Sequence, residues 1–318
     1  MRVAIIPTGR MEWYGLGQAL ERLFPEHIFY SLPTAREVAS NRDIEFPIPS
    51  FTSGDVKRVM NRPNNADKLV QRAAAEALGD RRREPADLVV IVDDVELDNI
   101  EQPDQVVLAM RCAVQRHLQT IQRRGSRVHE RTAQALRERV SFHLAKPMIE
   151  SWLFADPRGP VHAGVPGDRN ARLCAGVDPE DFQTDDPDFD KDDGVGCTCW
   201  SSLPERSPKQ KKAKRKHKPQ WLKAGQLRQR HPKAYMCWLC REATEKNCTT
   251  YKETSGGANA LAALDWNELL KEPDQARFAR ALVEDIAWVL GAASPFPGEV
   301  AEETSHALTT TDRMLRNL

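Results

Sequence analysis

Asp93, Asp94 and Glu96 directly follow Leu88-Val89-Val90-Ile91-Val92, an uninterrupted apolar run that reads as a strand buried on both faces. Acids at the C-terminal end of such a strand face the crevice in which open parallel sheets bind ligands. Hard oxygen donors there suit Mg2+ or Mn2+, which activates water and neutralises charge on a phosphoryl group. Glu12 occupies a comparable place, after the strand-like Val3 to Pro7 and the turn-like Thr8-Gly9. Glu150 lies beyond a third strand-like segment, with Lys146 one helical turn before it. Glu12, Asp93, Asp94, Glu96 and Glu150 are thus candidate metal ligands. Glu12, Asp93, Asp94 and Lys146 are the candidate catalytic groups, with Lys146 or Arg10 neutralising the phosphate. Plainer readings stand beside these: acids that merely punctuate a strand, a first-turn carboxylate at a helix N-terminus for Glu12, and an i,i+4 ion pair for Lys146 and Glu150.

The leading strand, the Gly-containing loop with an acid, the apolar strand ending in clustered Asp, and Lys146-Pro147-x-x-Glu150-x-Trp152-Leu153-x-Ala155-Asp156 together resemble the Toprim-like proteins of the DUF4276 type. These are related to the Toprim domains of topoisomerases, primases and OLD-family nucleases. The resemblance covers residues 1 to 160 and extends to His231-Pro232-Lys233-Ala234-Tyr235 and Tyr251-Lys252-Glu253-Thr254, which look like a helical tail. It implies a Mg2+-binding fold that cleaves or transfers nucleic acid phosphodiesters, in antiviral defence or mobile-element contexts. Two positions depart from the pattern. Thr8 stands where the family's catalytic Glu is expected, and Val95 stands at the second acid of Asp-x-Asp unless the motif is read one residue later, as Asp94-Val95-Glu96. A non-catalytic adaptor that binds nucleic acid or a partner protein, such as an ATPase of the same system, is the alternative expectation.

The cysteines offer a separate chemistry. Cys197-x-Cys199 and Cys237-x-x-Cys240 supply four thiolates, enough for a structural Zn2+, although i,i+3 cysteines in a helical pattern also simply pack. The run from Lys209 to Lys218, with Lys211, Lys212, Lys214, Arg215 and Lys216, is an electrostatic footprint for nucleic acid, and Trp200, Trp221 and Trp238 offer stacking surfaces nearby. An acidic run just upstream, from Asp178 to Asp193, could neutralise it within the chain.

Positioning these groups requires an α/β fold. Strand-like and helix-like patterns alternate through the first half, the signature of a mainly parallel sheet flanked by helices. Strands are expected over Val3–Pro7, His27–Leu32, Leu88–Val92 and Val140–Ala145, with helices over Gly15–Phe24, Ala66–Leu78, Asp104–Gln122 and Arg131–Glu138. Residues 1–160 read as the Toprim-like α/β domain, 161–228 as a charged, partly disordered insertion, and 229–318 as a C-terminal helical region. Tyr235–Ala243, Ala260–Leu270 and Ala276–Leu290 are the helices of that region, and its polar end after Pro297 reads as partly disordered. The 318 residues carry 46 Lys+Arg against 46 Asp+Glu, so any nucleic-acid contact must come from local patches. No apolar run spans a bilayer, no signal peptide is evident and seven scattered cysteines do not suggest a disulfide framework, so a cytoplasmic location is expected. P-loop, Rossmann and Gly-x-Ser-x-Gly motifs are missing, which leaves ATPase, dehydrogenase and α/β-hydrolase readings without support.

Overall fold

The computed structural model describes residues 1–40, 45–80, 84–191, 228–241, 250–296 and 313–318. The four expected strands form: β1 (Arg2–Pro7), β2 (Ile28–Ser31), β3 (Leu88–Asp94) and β4 (Val140–Ala145). They pair in one all-parallel sheet of order β2-β1-β3-β4, with Ala4 opposite Val89 and Ile91 opposite Phe142. Helices cover both faces, giving an α/β fold.

Alternation along the strands divides the interior. Val3 and Ile5 share one core with Leu88, Val90 and helix α1 (Arg10–Leu23). Ala4, Ile6, Val89 and Ile91 share the other with α3 (Asn65–Leu78), α4 (Pro103–Gln122) and α5 (Ser126–Arg139); a short α2 (Ala35–Ser40) precedes them. Fully burying a side chain such as Leu69 or Val70 of α3 contributes about 1.5–3 kcal/mol. Local signals start these helices. Asn64 and Asp67 form a capping box on α3, and Pro103 opens α4, where its missing N–H costs nothing.

The chain leaves β1 over one face to reach β2 at the edge, then returns over the other face to β3 on β1's opposite side. The strand order therefore switches between β1 and β3, and a crevice opens beyond their C-terminal ends. The loop around Thr52 to Val56 ties to the end of β3. Buried Asn99 accepts from Val56 N and donates to the carbonyls of Thr52, Gly54 and Val95, while Thr52 Oγ1 donates to the carbonyl of Asp94.

The rest of the chain packs onto this sheet. After α6 (Glu150–Leu153), α7 (Gly159–His162) and α8 (Pro187–Lys191) come α9 (Pro232–Leu239), α10 (Ala258–Ala262), α11 (Trp266–Leu269) and α12 (Arg277–Leu290). Gly15 lets the backbone of α10 approach α1, since a Cβ there would meet the Ala258 carbonyl oxygen at 2.6 Å. Phe182, Phe189, Tyr235, Leu261 and Leu282 lie in the same core as Val3 and Leu16.

The segment read as a charged, partly disordered insertion packs onto the sheet as far as Lys191. Asp178 accepts from Ala276 N, and Glu180 accepts from Phe278 N and Ala279 N at 2.9 and 2.8 Å, so acids of the run cap α12 instead of facing water. Charge segregation suggested solvation because sequence alone does not reveal a helix end needing acceptors. Residues 192–227, which contain the basic run, lie outside the described residues. At the end of the chain Leu315 and Leu318 are buried, and Arg316 N donates to Val140 O at the edge of β4. Among the described residues, no helix is long and apolar enough to cross a membrane.

Candidate functional site

Thr8 and Asp93 meet at the switch point. The Thr8 hydroxyl donates to Asp93 Oδ1 at 2.5 Å, the Asp94 amide donates to the same oxygen at 3.0 Å, and Thr8 N donates to Val92 O. Asp93 Oδ2 is buried and has no partner at full hydrogen-bond geometry, with Ser50 and the Phe51 amide near enough to the carboxylate to lower its pKa. Burial lifts the Asp93 pKa to about 6, against the pull of hydrogen bonds that include the one from Thr8.

The other acids gather around this pair from three strand ends. Glu12, in the first turn of α1, is buried with its carboxylate folded back over Gly9, where any side chain would collide with it. Asp94 ends β3 and accepts from Ile149 N at 2.9 Å, which ties it to the segment after β4. Glu96 has φ 63° and ψ 156°, a conformation that costs a non-glycine residue about 1–3 kcal/mol and persists only where its surroundings enforce it. Its N–H donates to Pro147 O, and Val95 N to Ala145 O, so β4's exit segment holds the strained turn. Glu150 opens α6 and is buried.

These carboxylates sense one another. Burial, followed by Glu150 and Glu253, raises Glu12 to about 8, with its own backbone amide and Lys233 pulling it back. Burial, then Glu12, Glu96 and Glu150, holds Asp94 well above the ordinary carboxylate range. Burial raises Glu96 to about 7 although Lys233 opposes it, and burial likewise raises Glu150 against Lys233. The shared cause is an excess of acid removed from water with, among the described residues, one ammonium to balance it.

That ammonium is Lys233. Its Nζ lies 4.0 Å from Glu150 Oε1 and makes an ion pair with Glu253, and these acids hold it protonated against the cost of burial. Tyr251 OH donates to Glu150 Oε1 at 3.4 Å and contacts Met11 Sδ. Lys233 enters from the first turn of α9, which begins at His231, whose Nδ1 accepts from Ala234 N. Burial lowers His231 to about 3, so this cap is neutral.

Lys146 does not join the acids. Its Nζ donates to Asp181 at 2.7 Å, so the expected cation of the site is replaced by Lys233. Arg10 is exposed at the first residue of α1. Lys211, Lys212, Lys214, Arg215, Lys216, Trp200 and Trp221 lie outside the described residues. Trp238 stacks on Tyr235 at 5.7 Å, its ring engaged within the protein. Cys237 and Cys240 are buried in the core, where burial pushes both thiols up to about 12, whereas Cys197 and Cys199 lie outside the described residues.

Lys233, Tyr251 and Glu253 were not singled out from the sequence as site residues. They lie in the two late segments that resemble a family tail, and nothing in spacing or periodicity links positions about 100 residues beyond Glu150 to it.

Among the described residues, no group of three or more His, Cys, Asp or Glu side chains is arranged to close on a metal ion. The donor chemistry nevertheless suits Mg2+ or Mn2+. Glu12, Asp94, Glu96 and Glu150 supply hard oxygens, Asp93 Oδ2 is a buried acceptor with no partner at full hydrogen-bond geometry, and a divalent cation would relieve the repulsion that raises these pKa values. No family profile, curated protein or solved structure matches the chain.

Proposed function

We propose that this chain is a Toprim-like, divalent-metal-dependent nuclease or phosphotransferase that acts on nucleic acid phosphodiesters. The observation that carries the reading is the acid cluster at the β1/β3 switch point, where Asp94 is raised by burial and by Glu12, Glu96 and Glu150 together. Structural positions alone rarely gather buried Glu12, Asp93 and Glu150 with half-buried Asp94 and Glu96 against one ammonium among the described residues, whereas metal sites require the excess. Glu12, Asp94, Glu96 and Glu150 would hold Mg2+ or Mn2+, which would activate a water and neutralise charge at phosphorus.

The remaining tasks fall to the chain's own groups. Asp93 is a positioning residue, since its Oδ1 is committed to Thr8 and to the Asp94 amide. Lys233, held protonated by Glu150, Glu253 and Glu96, supplies a fixed positive charge for a phosphate oxygen. Tyr251 orients Glu150 through its hydroxyl. A role in antiviral defence and a cytoplasmic location belong to this reading as expectations from the resemblance, and a structural Zn2+ on Cys197, Cys199, Cys237 and Cys240 stays a separate proposal.

Purified protein with Mg2+ or Mn2+ is expected to cleave DNA or RNA, and Asp94→Asn with Glu150→Gln to lower the rate at least ~100-fold with the fold intact. Undiminished cleavage by the double variant overturns the assignment. A non-catalytic adaptor for nucleic acid or a partner ATPase is the second reading. It is favoured by Thr8, which occupies the expected acid position and is engaged with Asp93. Tight binding of a nucleic acid without turnover under any divalent metal would select it.

A further inference from the structure

From the geometry of α3, α4 and α5 we infer that their outer face, at the end of the molecule opposite the acids, is a docking surface for the phosphate backbone of nucleic acid. The inference rests on the function proposed above for its choice of partner, but it concerns a different surface.

Residues 111–139 contain eight arginines, no lysine and two glutamates, a local net charge of +6 with the histidines neutral, in a chain whose total is zero. The helices turn this composition into a place. A groove of about 640 Å³ runs between α3, α4 and α5, lined by Arg116, His117, Arg123, Arg124, Gln71 and Val128 among others. Arg116 forms its floor, fixed by a two-pronged pair to Asp67 at 2.8 and 2.9 Å and by donation to Met60 O. Arg123 and Arg124 line it and are exposed, Arg127 and Arg131 are exposed on α5 beside the lining residues Val128 and Thr132, and no carboxylate among the described residues pairs with these four.

Three features point to phosphate. Guanidinium groups bind phosphate through paired N–H donors, and this patch uses arginine alone. The N-terminus of α5 has neither a capping side chain nor an acid in its first turn, and Arg127 occupies that turn. Cations at the positive end of a helix are unfavourable, and a bound anion turns the same arrangement favourable. Finally, α4 runs away from β3's acidic end for 20 residues, about 30 Å at 1.5 Å per residue. A polyanion held there is therefore kept clear of the carboxylates that would repel it, with a reach of several base pairs between the two sites.

Fluorescence anisotropy with a labelled DNA duplex and an RNA duplex of equal length, in chelator so that no cleavage occurs, tests this on the full chain. Wild type is expected to bind with strong salt dependence, and Arg123→Gln with Arg124→Gln, Arg127→Gln and Arg131→Gln to weaken binding at least ~10-fold and flatten the log–log salt slope by up to about 3.6 on the DNA duplex. The corresponding four Arg→Lys changes retain the charge and are expected to keep most of the affinity, which separates charge loss from misfolding. Equal binding by wild type and the Gln variant, loss only when Lys211 to Lys216 are neutralised, or no binding by wild type at low salt overturns the inference. Preference for polyglutamate over both duplexes assigns the face to an acidic protein and equally overturns it. Intact binding by a cleavage-dead Asp94→Asn, Glu150→Gln protein leaves this surface standing whether or not the proposed chemistry does.

Discussion

The Thr8 hydroxyl reaches across the switch point to Asp93 Oδ1 at 2.5 Å, joining the C-terminal ends of β1 and β3 where they must part to form the crevice. At a position where the family resemblance expects an acid, this chain uses a neutral donor, and the donor satisfies a buried carboxylate. Thr8→Val keeps the shape and removes that donor. Hydrogen bonds to charged groups contribute about 1.5–3 kcal/mol, so denaturant unfolding at neutral pH should show a loss of that order. An unchanged midpoint would show that another group satisfies Asp93.

Acidity should stabilise the cluster. Asp93, Glu96 and Glu12 have folded-state pKa values raised to about 6, 7 and 8, above unfolded values of about 4. The folded state then binds more protons than the unfolded state between these limits, so the cluster's contribution is fully present below about pH 4 and is lost as pH rises through 6, 7 and 8. In chelator, Tm should fall on the order of 5 °C between pH 5.5 and 8.5, and Glu12→Gln with Glu96→Gln should flatten the slope. Mg2+ or Mn2+ should restore more stability at pH 8 than at pH 6, because ligation needs deprotonated oxygens. A metal effect independent of pH would falsify the link between these acids and a cation.

Removing the resident ammonium tests the charge balance directly. Lys233→Met leaves Glu150 and Glu253 without their nearest cation at neutral pH. A fully buried pair broken this way costs about 3–5 kcal/mol, but the Lys233 side chain is 37% exposed, so about 1–2 kcal/mol is expected. The deficit should shrink in acid, where Glu150 protonates. A deficit constant from pH 5 to 8 would point to lost packing instead.

Glu180 reports on the segment that charge patterning placed in solvent. Its two oxygens accept from Phe278 N and Ala279 N at the start of α12. Glu180→Ala should cost about 1–3 kcal/mol by leaving both amides unpaired and should raise hydrogen exchange at residues 276–280. Normal protection there would show that the segment is not docked.

Legibility followed the range of the interaction. All four strands were readable because β-branched runs and alternation are local, and Leu88 to Val92 announced a central strand by composition alone. Glu12, Asp93, Asp94, Glu96 and Glu150 were readable as sheet-end acids because each lies at or just beyond the end of β1, β3 or β4. Sequence could not say which cation would stand among them. Lys146 is close in the chain to Glu150 but pairs with Asp181, whereas Lys233 arrives on a later helix whose position depends on a core shared by Tyr235, Leu261 and Leu16. Nor could it give the strand order β2-β1-β3-β4, which places Thr8 against Asp93, whose Oδ1 also accepts from the Asp94 amide. Local propensity fixes elements and the residues at their ends; only close packing of distant segments sets the distances through which charges shift one another's pKa values.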